Sequence, residues 1–381
     1  MQGRGTKLLA VLAGLMIVVF AAGALAAANV INLPGNLRTT LGLQEETPNP
    51  DCRLGLYRKS PKSPPAPSGR WAFEPETPKT QIEASGIAVG PVIYVTGGSP
   101  PGNLRTVTAY DTRTKKWSEP TQLPTGLNHS QVATHDGKLY LAGGYLEGEN
   151  PTDNFWEYDP GSDRWTKLPP LLRPTAAGAT VAVGDKLYVA SGAPQTFGVS
   201  GPIAPYPQLQ IYDFETGKWS LGADIPSPRH HVGGAALDGK LYVAGGRGEA
   251  DHSLATFERY DPATDTWESL PDMPFGVASP GLVAIDGKLV VVGGEDQVDW
   301  ENEGGWVTPS AWAFDPKTDH WSRLPDMKFE RRGSGVAATE ERVYALGGSY
   351  CPGLKPNGPV GTHTVESLPA SALRAEPAPG S

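Results

Sequence analysis

Three short stretches hold the side chains best equipped for chemistry. Asn128-His129, Arg229-His230-His231 and Arg331-Arg332 gather hydrogen-bond donors and titratable rings. Two further stretches read as loops. One is Arg247-Gly248-Glu249-Ala250-Asp251-His252, and the other runs from Glu295 through Asp296, Asp299, Trp300, Glu301 and Glu303 to Trp306. An Arg guanidinium offers a planar fork that matches an anion. Trp300 and Trp306 beside carboxylates make a surface on which a sugar ring can stack, although the same stretch could pack on itself as an acidic loop. Its carboxylates could take calcium, but their spacing is not that of an EF-hand. The ligand-binding candidates are Asn128, His129, Tyr145, Arg229, His230, Arg247, Glu295, Trp300, Trp306 and Arg332. No nucleophile elbow, phosphate-binding loop or dinucleotide fingerprint is legible. No cofactor and no metal site is expected.

These residues must be positioned by a repeat. Gly-Gly pairs follow apolar runs at Gly97, Gly143, Gly245, Gly293 and Gly347, and Ser191-Gly192 makes a sixth. Leu139-Tyr140-Leu141-Ala142 is one such run, and Asp136-Gly137 just before it is a tight-hairpin signal. Downstream comes an aromatic-Asp pair, such as Tyr110-Asp111 or Phe314-Asp315. A Trp follows each Asp by six residues, at Trp117, Trp165, Trp219, Trp267 and Trp321. One repeat is therefore four short strands, a to d. Strand b ends in Gly-Gly, strand c in aromatic-Asp, and strand d carries the Trp.

The step from each Trp to the next Gly-Gly position is identical throughout: Trp71 to Gly97, Trp117 to Gly143, Trp165 to Ser191, Trp219 to Gly245, Trp267 to Gly293 and Trp321 to Gly347. The step from Gly-Gly to the next Trp varies; it is shortest from Gly97 to Trp117 and longer from Gly293 to Trp321. No Trp follows Gly347, so Trp71 reads as the missing strand d of the last repeat. The expected fold is all-β, a six-bladed ring closed by an N-terminal strand d. A lone four-stranded sheet cannot bury both faces, whereas six around an axis bury them against each other.

Composition agrees with this reading. The 47 Gly and 38 Pro would break long helices, which excludes a coiled coil or helical bundle. Ten Trp, 13 Tyr and 9 Phe supply a core, against wholesale disorder. A net charge of −9 argues against a nucleic-acid partner. Residues 8–28 carry no charge and follow Arg4 and Lys7. They read as a membrane-spanning helix or as a cleaved signal peptide, and both place the remainder outside the cytoplasm. Residues 29–69 read as an extended Pro-rich linker, 70–368 as the propeller and 369–381 as a flexible tail.

Gly-Gly after a strand, then Tyr-Asp, then Trp six residues on, at a period of 46 to 54, resembles the kelch-repeat β-propeller family. The departures are Ser191 for a Gly, Val290 for a Tyr, and no Tyr-Asp in the last repeat. The resemblance implies that b–c and d–a loops share one face and the tight a–b and c–d turns the other. Length variation is then confined to the b–c face, where binding would sit. It implies that Arg in a d–a loop can be structural or can face a ligand. When the repeats are aligned on Gly-Gly, Glu83, His129 and His231 fall at one equivalent position, where they would line a wet channel. Cys351 starts the b–c loop of the closing blade and Cys52 precedes its strand d, so a Cys52–Cys351 disulfide is expected, with two unpaired thiols as the alternative. The function expected is a monomeric, extracytoplasmic, non-catalytic module, anchored or secreted, that binds a carbohydrate or a cell-envelope protein. The alternatives are a protein-assembly scaffold and a sugar-modifying enzyme such as a sialic-acid or aldose mutarotase, with Arg229, Arg332 and Glu295 as anion clamp and carboxylate. Copper oxidase chemistry of the galactose-oxidase type would need a Cys beside a Tyr, and Cys351 alone lies in the propeller.

Overall fold

Alternating short strands and positive-φ turns fold this chain into six four-stranded antiparallel sheets. The structure, a computed structural model, describes residues 70–99, 102–147, 150–194, 204–249, 252–299, 304–350 and 361–374, with the side chains of 297–299 and 304–306 left out. Residues 8–28, the linker, Cys52, Trp300 and Cys351 lie outside them. Among the described residues no helix is long and apolar enough to cross a membrane.

Blade 1 is Ser85–Val89, Val92–Thr96, Val107–Asp111 and Lys116–Ser118. Blades 2 to 5 repeat that order, with inner strands a at Gln131–His135, Ala179–Val183, Gly233–Leu237 and Gly281–Ile285. Blade 6 takes strands a, b and c from Gly335–Ala338, Arg342–Leu346 and Val365–Pro369. Its fourth strand is Ala72–Glu74, with Ala72 opposite Ser367 and Glu74 opposite Val365. Two b–c connections carry hairpins of their own, Tyr145–Leu146 with Asn150–Pro151, and Glu295–Asp299 with Gly304–Val307. The strand that ends at Pro369 runs straight into a 3-10 turn, Ala370–Leu373. Leu373 is buried, and Arg374 forks onto Asp286, so 369–374 belong to the packed body rather than to a tail.

The core lies between blades. Six apolar clusters are each shared by two neighbouring sheets. Two sets of hydrogen bonds stitch the same boundaries. Each Trp indole N–H donates to the backbone carbonyl four residues after the Trp of the preceding blade: Trp117 to Pro75, Trp165 to Thr121, Trp219 to Pro169, Trp267 to Ala223, and Trp321 to Pro271. Trp71 donates to Pro325 at 2.8 Å, which completes the set. On the inner side, the second Gly of each pair donates its N–H to the next blade, as Gly144 does to the Thr175 carbonyl and Gly348 to that of Gln81. A Cβ on the first Gly would strike that same carbonyl, at 2.2 Å for Gly143, whose φ is +63°. Both facts demand glycine. Ser191 escapes the rule because its hydroxyl lies 2.7 Å from the Arg229 carbonyl, turning the close approach into a polar contact.

Trp71 is 1% exposed, whereas Trp117 is only half-buried. Trp71→Ala should therefore destabilise the fold by about 3–5 kcal/mol, and Trp117→Ala by clearly less. Urea unfolding of both variants checks the order; a Trp71→Ala loss no larger than that of Trp117→Ala would contradict this account of closure.

Candidate functional site

The d–a loops descend onto the axis and turn sharply into the inner strands. The turn residue has positive φ in every blade: Glu83, His129, Ala177, His231, Ser279 and Gly333, at 49° to 57°. Left-handed backbone costs roughly 1–2 kcal/mol at a non-Gly residue. In blades 1 to 5 it aims the N–H sideways at the preceding blade, and hydrogen bonds offset the cost. Glu83 donates to Gly333 (2.7 Å), His129 to Glu83 (3.0 Å), Ala177 to His129 (2.9 Å), His231 to Ala177 (2.7 Å) and Ser279 to His231 (2.8 Å). The result is a backbone collar around the channel mouth. The residue before each turn pairs with the residue after the Gly-Gly pair: Asn128 with Tyr145, His230 with Arg247, Ala278 with Glu295, and Arg332 with Ser349.

An alternating run of charges crosses the collar. His129 Nε2 lies 3.3 Å from the Glu83 carboxylate. Arg332 contacts Glu83 through one nitrogen and lies 3.0 Å from Glu295 through Nε. Arg247 donates to the other oxygen of Glu295. The run His129–Glu83–Arg332–Glu295–Arg247 thus joins blades 2, 1, 6, 5 and 4. Among the described residues blade 3 contributes only Ala176, Ala177 and Ala193, and Tyr145 packs on the first and last of these. His129 reaches across that gap to His231, with ring centroids 4.7 Å apart. His129 Nδ1 donates to Asn128 Oδ1 at 2.6 Å, and Asn128 donates in turn to Asn103.

Burial would raise the Glu83 carboxyl, but His129, Arg332 and Arg247 more than offset it and hold it below the ordinary carboxylate value. Burial would lower Arg332, and Glu295 with Glu83 keeps it above its ordinary value. His230 is pushed down to about 3 by burial, with Arg247 and His129 acting in the same direction. His231 moves down for the same reasons. At neutral pH the collar therefore holds ionised Glu83 beside two neutral imidazoles. Below it, the inner strands enclose a cavity of ≈ 360 Å³ lined by small residues such as Gly86, Ala88, Thr180 and Gly234.

Seven of the ten sequence candidates meet here: Asn128, His129, Tyr145, His230, Arg247, Glu295 and Arg332. All but His129 are buried to 7% exposure or less. Arg229 does not join them. It turns into blade 4, is fully buried, and bonds Glu258 and the carbonyls of Gly245 and Val243. Its register neighbours explain this. Gln81 and Arg331 occupy the same position and bond the corresponding carbonyls, Val95 with Gly97 and Ala345 with Gly347. Trp306 pairs through its backbone with Asp296 in the blade 5 hairpin. Glu83, His231 and Ser279 complete the site although they stand outside the ten; aligning the repeats on Gly97, Gly245 and Gly293 puts all three at one position. Among the described residues, no group of three His, Cys, Asp or Glu is arranged to hold a metal ion.

Comparison with known proteins places this geometry in a family. The family model for the Attractin/LZTR1 beta-propeller matches residues 93–351. Kelch-like protein terF of Aspergillus terreus is 32% identical over 199 residues, which is 47% of this chain and 43% of that protein. Kelch-like protein 25 of Xenopus tropicalis is 26% identical over 285 residues, 72% of this chain and 38% of that one. The chain thus spans less than half the length of these relatives. The solved structure of YjhT aligns with a TM-score of 0.65 at 18% identity, covering 76% of this chain and 95% of that one, a likeness of fold alone.

Proposed function

The chain belongs to the Attractin/LZTR1 β-propeller family of six-bladed kelch-repeat propellers, and from that premise we propose a non-catalytic binding module outside the cytoplasm, with a cell-envelope protein held on its b–c and d–a loop face. A kelch propeller is commonly a protein-binding module. The observation that carries the reading is the asymmetry of the two faces. The Tyr145–Leu146 and Glu295–Asp299 hairpins rise from b–c connections, where the sequence intervals vary. Among the described residues the a–b and c–d connections on the opposite face are tight turns, such as Asp136-Gly137 between two blade 2 strands. Loops of variable length on a rigid scaffold are the usual seat of recognition.

The ends of the propeller support the same assignment. Ala72–Glu74 enters its sheet from the c–d side, and the turn at Ala370–Leu373 packs by the a–b turn of blade 5, where Lys288 donates to the Leu373 carbonyl. Both ends of the ring therefore lie on the side away from the loop face. The mutarotase reading loses half of its anion clamp, because Arg229 is committed to Glu258.

Thermal shift and NMR on the full chain test this reading against its rivals. Neutral sugars, sialic acid and uronic acids should leave the melting temperature unchanged and their anomer exchange unaccelerated. A ligand at 100 times its Kd would add about 2.7 kcal/mol, a shift of several degrees. Such a shift would move the ligand class to carbohydrate, and accelerated exchange would make the protein an enzyme.

A further inference from the structure

Three histidines lie in one contiguous stack at the collar. His129 and His231 have ring centroids 4.7 Å apart, as do His231 and His230. The Nδ1 atoms of His230 and His231 approach to 2.5 Å. That contact has room for one hydrogen, so one ring donates and the other accepts. Among the described residues every neighbouring loop presents charge to this stack except that of blade 3, which presents alanines. Glu83 comes from blade 1, His129 and the Tyr145 phenol from blade 2, Arg247 from blade 4, Glu295 from blade 5 and Arg332 from blade 6. Arg247 and Arg332 of that set both disfavour a proton on His231.

We propose that the His230–His231 pair makes the loop face acid-responsive, so that uptake of a proton from solvent parts the two rings and releases the roots of the blade 4 and blade 5 b–c loops. The regulation rests on the binding role proposed above. A proton on the accepting Nδ1 sets two N–H groups against each other and adds a positive charge beside Arg247. The rings cannot then stay in contact. His230 is bridged to Arg247 by two backbone hydrogen bonds, at 2.9 and 2.8 Å. His231 receives the Ser279 N–H and donates to Ala177. Arg247 in turn holds Glu295, the first residue of the blade 5 hairpin. Parting the rings therefore acts on both loop roots, while the outer Trp bonds lie far from the charge.

Hydrogen–deuterium exchange on the full chain, corrected for the intrinsic pH dependence, reads this directly. Between pH 7.5 and pH 5.0, exchange in 229–247 and 278–295 should rise at least tenfold, with the strands around Trp117 and Trp165 unchanged. In the His230→Gln/His231→Gln variant the rise should be less than twofold. NMR titration of the wild-type histidine rings is the second measurement, and it requires no variant to fold. Ring protonation should coincide with collar opening. An unchanged acid response in the variant, or rings that titrate near 6.5 while the collar stays protected, would overturn the proposal. Both readouts use the protein alone. A collar that opens in acid on a protein with no partner at its loop face would sink the binding role and leave this inference standing.

Discussion

Arg229→Met is expected to destabilise the fold by about 3–5 kcal/mol, because it strands the Glu258 carboxylate in blade 4 without its cation. Both side chains are fully buried. Arg229 also supplies the donors for the Gly245, Val243 and Ser227 carbonyls, which its loss would leave short of partners. Removing both charges should cost far less. Arg229→Met/Glu258→Leu should recover most of the lost stability, since a buried ion pair and a well-packed apolar pair are often close in free energy. Urea unfolding of the two singles and the double closes the cycle. A loss below about 1 kcal/mol for Arg229→Met would mean that Arg229 is not bound into the blade and would restore it as a ligand contact.

Acid should destabilise the protein well before carboxylates begin to titrate. An unfolded histidine takes a proton near 6.5, whereas His230 in the closed collar resists until about 3. Between those values the unfolded chain binds more protons, so stability falls as pH falls. The full contribution is present above 6.5. Each such histidine removes about 1.4 kcal/mol per pH unit below that. His230 alone should therefore remove about 2.7 kcal/mol by pH 4.5, several degrees in Tm for a fold of this size, and His231, shifted the same way, adds to the loss. Glu83 acts in a different window. Its folded carboxyl lies below the ordinary value, so its contribution is kept at pH 6 and lost only at the acid end. Scanning calorimetry from pH 7.5 to 5.0 therefore isolates the histidines. A flat Tm across that range would contradict the buried neutral pair.

The propeller was legible because its inter-blade contacts have fixed geometry. A Trp N–H must reach a carbonyl of the preceding blade, and a Gly pair must lie against the next one. The chain between them therefore keeps one length, from Trp71 to Gly97 and in each later repeat through Trp321 to Gly347. The b–c connections bulge outward beyond these fixed points and vary in length. The site was less legible because adjacent residues have opposite fates. Arg229 and His230 are neighbours, yet the first turns into the blade and the second to the collar. Arg331 and Arg332 divide the same way, onto Glu366 and onto Glu83 with Glu295. Residue type cannot separate them; register can, because Gln81 already fills the inward position in blade 1. Glu83 was marked only by aligning the repeats on Gly-Gly. It follows Ile82 rather than a basic residue, so no local motif marks it. Asn103 has no sequence signal, since it sits in a loop with no repeating length.

Site-specific photo-crosslinking in intact cells of the native host locates the face that meets a partner. A photoreactive residue placed at Glu147 or Glu249 projects from the loop face, and one at Lys186 projects from the opposite face; all three are exposed. A discrete protein adduct of the same mass is expected from both loop-face positions and none from Lys186. Adducts that form from Lys186 and not from Glu147 or Glu249 would place the working surface on the other side of the ring and contradict the claim.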